Sequence, residues 1–317
     1  MLAGLLAAAR PPTVAVKLAV LLVLGLGAGA AVAAWIGGGA AVLGYGLGVL
    51  GGIQAAIRSA PGRLLVATAL LSVLAAAAGV LAQGSPVLAA LAVAAAGLVQ
   101  APLNIRADGL GLMLPALAAL GAAAELPQRP VFVGTWLVVG AVTIYALARL
   151  LGIPTEEKTV PASLAWRHAV ALAVTGGLSF LLLLWGEVPH GYWLVLTLTA
   201  VLRPAYVESR EAGWARILGT VSGVVVAIAC AILLPGWVLV PLALVFAVEA
   251  VAWAAAQDQR RQQLFATPLV LLLATAGALE DQWRIATERI VFVVLGVLLA
   301  VLAVAVVAWL DGRDQPA

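Results

Sequence analysis

Long apolar blocks, rather than amphipathic alternation, organise this chain. The stretches 18–35, 64–82, 217–234 and 290–310 contain no charged residue. Each runs about 18 residues or more, the length that crosses a hydrocarbon core about 30 Å thick at about 1.5 Å per residue. Helix is the spanning form that fits, because a barrel strand would alternate apolar and polar positions over about ten residues. Gly, Pro and charged residues punctuate the sequence. They divide it into twelve predicted spans at 15–35, 39–56, 64–82, 86–104, 109–124, 131–150, 168–186, 190–203, 215–234, 237–256, 263–279 and 285–310.

The connections between these spans alternate in charge. One set holds Arg10, Lys17, Arg58, Arg63, Arg106, Arg149, Lys158, Arg167, Arg203, Arg210, Arg216, Arg260, Arg261 and Arg313, and the other holds only Arg129, Arg284 and Arg289. Lysine and arginine mark cytoplasmic loops, so this fourteen-to-three bias predicts that both termini face the cytoplasm. The longest connection, 152–167, would then be a cytoplasmic linker between an N-terminal half, 1–151, and a C-terminal half, 168–317. Six spans per half is an even number, which predicts parallel rather than inverted repeats. A shift of 153 residues brings Gly62-Arg63-Leu64-Leu65 onto Ala215-Arg216-Ile217-Leu218, Leu114-Pro115 onto Thr267-Pro268, and Gly38 onto Gly191. The expected fold is an all-α polytopic membrane protein of about twelve helices, arranged as two parallel six-helix repeats.

Composition sharpens this picture. Hydrophobic residues make up 64% of the 317 and charged residues only 10%, against about a quarter charged in soluble domains. The segment 1–9 lacks the basic start of a cleaved signal peptide. Cys230 is the single cysteine, which excludes an intrachain disulfide and a cysteine-rich metal site. The net charge of +3 is spread over loops and reads as membrane orientation, not nucleic-acid binding. Neither Lys17 nor Lys158 follows a phosphate-binding glycine loop, and His168 and His190 form no zinc motif. Gly46, Gly48 and Gly51 match a dinucleotide fingerprint but lie inside an apolar helix. No cofactor and no enzymatic activity are expected. Glycines spaced by four, at Gly25/Gly29, Gly44/Gly48/Gly52 and Gly219/Gly223, suit close helix packing in lipid.

A few polar residues interrupt the apolar spans. Glu249 is the one acidic residue well inside a predicted span. A charge at that depth costs roughly 2.5–3.5 kcal/mol on insertion scales, so this carboxyl should face protein or water. Phe246, Glu249, Trp253 and Gln257 share one helix face. At the repeat shift, Trp253 and Gln257 correspond to Gln100 and Asn104, so both halves carry polar groups at matching depth. The span containing Thr197 and Thr199 begins with His190, Tyr192 and Trp193 and stops at Arg203-Pro204. Short, broken spans of this kind line substrate sites in transporters, and Thr197, Thr199 and Arg203 are the lining candidates. Tyr192 and Trp193 read better as interfacial anchors. Arg216 and Arg289 open the ninth and twelfth predicted spans, where a helix N-terminus and a guanidinium would together favour a carboxylate.

These segments resemble a known family. Trp166-Arg167-His168-Ala169, the run Tyr192-Trp193-Leu194-Val195-Leu196-Thr197, Arg203-Pro204, and Arg216-Ile217-Leu218-Gly219-Thr220-Val221-Ser222-Gly223 occur in the order seen in the fusaric acid resistance (FUSC) family. Arg289 and Gly296 are similar to that family's last-helix arginine and glycine. The resemblance covers about 165–310, and the first half keeps chiefly Arg63 and Pro115. It implies an inner-membrane transporter of the aromatic acid exporter type, related in architecture to plant anion channels. Two departures stand out. Arg203 occupies a position where the family usually has glutamine, and the 152–167 linker stands where many members carry a large cytoplasmic domain. The expected function is secondary export of small organic acids, with the lipid bilayer and a small organic anion as partners and self-association allowed. An anion-channel-like pathway and a non-transporting membrane scaffold are the alternatives.

Overall fold

The computed structural model describes residues 13–57, 62–106, 110–123, 130–150, 159–202, 206–255, 258–275 and 279–313. Among them the regular structure is helical, with no strand. The helices are α1 (Thr13–Ile57), α2 (Gly62–Leu81), α3 (Pro86–Arg106), α4 (Leu114–Ala123), α5 (Pro130–Leu150) and α6 (Ala162–Trp185). They continue with α7 (Tyr192–Val201), α8 (Tyr206–Leu233), α9 (Gly236–Ala255), α10 (Gln259–Thr275) and α11 (Leu279–Arg313). Five are long and apolar enough to cross a membrane over Pro86–Arg106, Phe132–Leu150, Ala162–Trp185, Ser209–Leu233 and Trp283–Trp309. Shorter apolar segments include Leu22–Gly38, Val66–Leu81, Leu114–Ala123, Tyr192–Val201 and Pro241–Trp253.

Gly38 breaks α1, with φ 63° and ψ −154°. Only glycine adopts that conformation without a Cβ penalty, and the break falls between the first two predicted spans. The chain folds back there, because a Cβ added at Gly29 would collide with the Tyr45 hydroxyl. Ala33, Ala41 and Tyr45 bury one another across the turn.

The chain divides into two compact units, the larger made of Gly25–Arg210 and Leu295–Ala317, the smaller of Met1–Leu24 and Glu211–Val294. The cuts fall within α1, α8 and α11, not in the 152–167 segment.

In the larger unit α3 packs along α6, α2 packs against α3, α4 and α5, and α7 packs against α4 and α6. The contact surfaces are built from small residues. A Cβ at Gly79 would strike the Ala118 carbonyl, and one at Gly121 would strike the Ala76 carbonyl, so α2 and α4 are notched into each other. Gly48 and Gly140 do the same between α1 and α5, against the carbonyls of Leu137 and Tyr45. In α6 the buried residues are Ala165, His168, Ala169, Leu172, Ala173, Gly176, Gly177 and Phe180, five of the eight being alanine or glycine. Val170, Val174, Leu178 and Leu182 on the same helix are exposed, Leu182 to 64%. Alanine and glycine at most buried positions, with large apolar residues exposed, depart from the soluble pattern. Lipid solvates leucine as well as a core does, so close backbone approach drives helix association instead.

In the smaller unit the same device joins α8 to α10. A Cβ at Gly219 would lie 2.5 Å from the Arg260 carbonyl, and one at Gly223 would lie 2.7 Å from Thr267 Cβ and 2.8 Å from the Leu264 carbonyl. The pairing of 219 with 260–264 and of 223 with 264–268 makes these two helices run parallel. Val224, Ala227, Leu271 and Ala286 then form a cluster that brings the start of α11 onto the pair. On the other side of α10, Leu239 and Phe246 of α9 pack with Leu272.

Candidate functional site

Both candidate arginines sit deeper in their helices than the hydropathy pattern predicts. Helix α8 begins at Tyr206 and α11 at Leu279, so Arg216 and Arg289 each lie ten residues past the first residue of their helix. The expected helix N-terminus is therefore not at either arginine. The reason is that the preceding segments 206–215 and 279–288 are polar yet rich in Glu, Arg and Ala, which are good helix formers. Hydropathy marks where lipid begins, not where the helix does. What the two residues share instead is burial, with Arg216 9% exposed and Arg289 4%.

Around them the smaller unit collects further polar groups. Arg216, Thr220 and Gly223 fall on one face of α8, and Gln263 and Thr267 lie on α10 at the level of Gly219 and Gly223. Thr220, Gln263 and Thr267 are all buried. The Arg-x-x-Gly-Thr-x-x-Gly motif is thus both the packing surface against α10 and the source of the polar side chains beside it. Pro268 cannot donate to the Leu264 carbonyl, and that carbonyl faces Gly223.

The shared face on α9 is present in part. Phe246 and Trp253 are buried and Glu249 is half-buried. Both aromatic rings are already engaged by α10. Phe246 lies 6.3 Å from the Phe265 ring centroid, and the Arg261 guanidinium sits 4.4 Å over the Trp253 ring. Arg261 is held there from two sides, since its backbone N–H donates to Asp258 Oδ1 at 3.0 Å and its Nε lies 3.5 Å from Asp258 Oδ2. Asp258 is the N-cap of α10. Gln257 and Arg203 lie outside the described residues.

The remaining candidates belong to the larger unit. Gln100 and Asn104 are buried one turn apart on α3. Gln100 Nε2 donates to the Leu112 carbonyl at 3.2 Å, and the Asn104 carbonyl accepts from Val160 N–H at 3.3 Å. Their side-chain oxygens, Oε1 and Oδ1, find no hydrogen-bond partner. Helix α7 has ten residues, shorter than the already short span predicted over 190–203. Thr197 and Thr199 are buried and donate within α7, to the carbonyls of Trp193 at 2.8 Å and Leu196 at 2.9 Å. Thr197 also meets Gly296 of α11, where a Cβ would come within 2.8 Å of it. A shallow recess in this unit is lined by Leu164, Arg167, His168, Leu202 and Val304.

The run from α6 to α11 that carries these groups matches a family of known proteins. Residues 177–303 fit the model for fusaric acid resistance protein-like sequences. That segment is fusaric acid resistance-like. It contains Thr197, Arg216, Thr220, Glu249, Thr267 and Arg289. No curated protein and no solved structure matches the chain.

Proposed function

We propose that this chain is an inner-membrane transporter that exports small organic acids, aromatic acids among them, and that its membrane part is built as two parallel six-helix repeats. The observation that carries the reading is the burial of Arg216 and Arg289 within apolar helices of the family-matched segment. A guanidinium stays charged at any physiological pH, and holding one at membrane depth costs several kcal/mol unless something offsets it. A carboxylate suits the guanidinium fork, which is the chemistry by which an anionic solute would be recognised beside these cations. Glu249, half-buried on α9, supplies a titratable group that can couple the anion to protons. Gln100 and Asn104 supply the equivalent polar level in the first repeat.

The test is flux. Purified protein in proteoliposomes should accumulate radiolabelled carboxylates from a panel of aromatic and aliphatic acids, and Arg216→Gln should raise the apparent KM without loss of protein. If no acid in the panel moves faster than through protein-free vesicles, the transport reading falls.

Orientation has its own test. On a Cys230→Ala background, Lys158→Cys should resist impermeant thiol reagents in intact cells, while a cysteine at Arg129 should react. Labelling of Lys158→Cys from outside would reverse the assigned topology.

A further inference from the structure

The exposed residues of α6 form a single row. Trp166, Val170, Val174, Leu178, Leu182 and Trp185 follow one another at steps of three or four, and between Arg167 and Trp185 no other residue of the helix is exposed. Each end of the row is a tryptophan, 48% exposed at Trp166 and 66% at Trp185. Nineteen residues separate the two, or about 28.5 Å at about 1.5 Å per residue. A hydrocarbon core is about 30 Å thick, and tryptophan collects at its two edges. The side chains between them are valine and leucine, with no glycine, alanine or serine in the row. A second helix docking here would need small residues for close approach, whereas acyl chains do not.

Helix α3 runs beside this ruler in a known register. A Cβ at Gly97 would lie 3.1 Å from Ala173 Cα, and one at Gly177 would lie 3.1 Å from Ala94 Cβ. These pairs set α3 and α6 antiparallel, with Gly97 level with Ala173. Gln100 is then level with Val170, and Asn104 with Trp166. The bond from Val160 N–H to the Asn104 carbonyl agrees, since Val160 lies two residues before α6 begins. At the other end Pro86, where α3 begins, is level with Leu184, beside Trp185. Arg106, in the last turn of α3, is exposed just beyond the Trp166 level, where a cation meets headgroups.

We infer that α6 presents this row to acyl chains, and that the two membrane surfaces cross the larger unit at Trp166 and Trp185. The partner of this face is bilayer hydrocarbon, not a second protein. By the charge bias of the loops, the Trp166 surface is the cytoplasmic one. Gln100 and Asn104 lie within about one turn of that surface, although both are buried in protein, at 0% and 4% exposed. Their unpartnered oxygens belong to the cytoplasmic edge of the membrane, not to its midplane. At mid-depth, the close approach of Val93, Ala94 and Gly97 to α6 leaves no solute path between the two helices. Only residence in a bilayer is required for this placement; acid export is not.

The test uses the full-length protein with Cys230→Ala, reconstituted in vesicles of palmitoyl-oleoyl phosphatidylcholine. Val170→Cys, Val174→Cys, Leu178→Cys and Leu182→Cys on α6, and Leu98→Cys and Arg106→Cys on α3, each carry one nitroxide. All of these positions are exposed, so the label displaces no packing. Electron paramagnetic resonance reads collisions with oxygen, which dissolves in acyl chains, and with a water-soluble nickel chelate. The oxygen-to-nickel ratio should peak at Val174→Cys and Leu178→Cys and fall severalfold toward Val170→Cys and Leu182→Cys alike. Leu98→Cys should fall between Val170→Cys and Val174→Cys, and Arg106→Cys should give the ratio of a label in water. Nickel collisions at Val174→Cys as frequent as at Arg106→Cys would mean that the row lines water. Exclusion of both reagents along the row would mean that protein covers it. Either result overturns the lipid face. A label on Arg106→Cys as deep as one on Leu98→Cys would overturn the register that places Gln100 and Asn104. Carboxylate flux enters none of these readings, so a protein that carries no acid would still give the expected ratios.

Discussion

Gly223→Leu should leave little folded protein after detergent extraction. Even the first carbon of the new side chain would lie 2.7 Å from Thr267 Cβ, 2.8 Å from the Leu264 carbonyl and 3.0 Å from Pro268 Cδ. Two of these three atoms belong to backbone or a proline ring, which cannot rotate away. Leucine adds three more carbons in the same place, so α8 must separate from α10. That separation also undoes the cluster of Val224, Ala227 and Leu271 on which α11 rests. An alanine at this position costs about 1–3 kcal/mol by overpacking alone, and leucine should exceed that. Gly27→Leu is the control, since nothing lies within 4 Å of a Cβ there and the residue is exposed. The measurement is the monodisperse fraction and melting temperature of each variant in detergent. Equal behaviour of the two leucine variants would show that close approach of α8 and α10 does not hold this unit together.

How much of this could be read from the sequence depends on what each signal reports. Apolar runs report lipid exposure, and they located the helices well. The Gly38 break and the short α7 were legible because glycine and the Arg-Pro pair act locally on backbone geometry. Glycines spaced by four were legible too, since their use follows from helical periodicity, and Gly44/Gly48 and Gly219/Gly223 do face carbonyls of neighbouring helices. The helix starts before Arg216 and Arg289 were not legible from hydropathy. Polar helix formers there extend each helix beyond the apolar stretch, and the arginines land inside it.

The threonines show a different kind of loss. Thr220 stood within a motif and Thr267 beside the repeated proline, but a threonine in an apolar helix ordinarily bonds its own backbone. Nothing in the sequence separates Thr220 from Thr175, whose hydroxyl reaches the Ala171 carbonyl at 2.6 Å. Thr220 Oγ1, by contrast, is buried with no hydrogen-bond partner, a fact of three dimensions. Likewise the spacing of Phe246, Glu249 and Trp253 gave their common face, but not that Phe265 and Arg261 already occupy the two rings. Both rings of that face are thus in contact with side chains of α10.

Glu249→Gln should abolish the response of acid flux to a pH gradient while leaving the protein as abundant as before. Glutamine matches the size of glutamate and keeps its hydrogen bonding, but it cannot take up or release a proton. Abundance should hold because a neutral amide inserts more cheaply than a carboxylate, whose cost at membrane depth is roughly 2.5–3.5 kcal/mol. The charged groups on α10, the helix packed against α9, are Arg260 and Arg261 at its start, and Arg261 is committed to Asp258 and Trp253. No second carboxyl lies within α9 to take over the proton. Proteoliposomes loaded at one pH and diluted into another give the comparison directly. Wild-type flux should change with the direction and size of the gradient. The variant's flux should follow the acid's concentration alone, at a rate set by anion binding at the arginines. A variant that keeps the wild-type pH response would make Glu249 a structural residue and place proton coupling elsewhere in the chain. Loss of all flux, with protein still folded, would instead mean that the charge itself is required for the pathway to open.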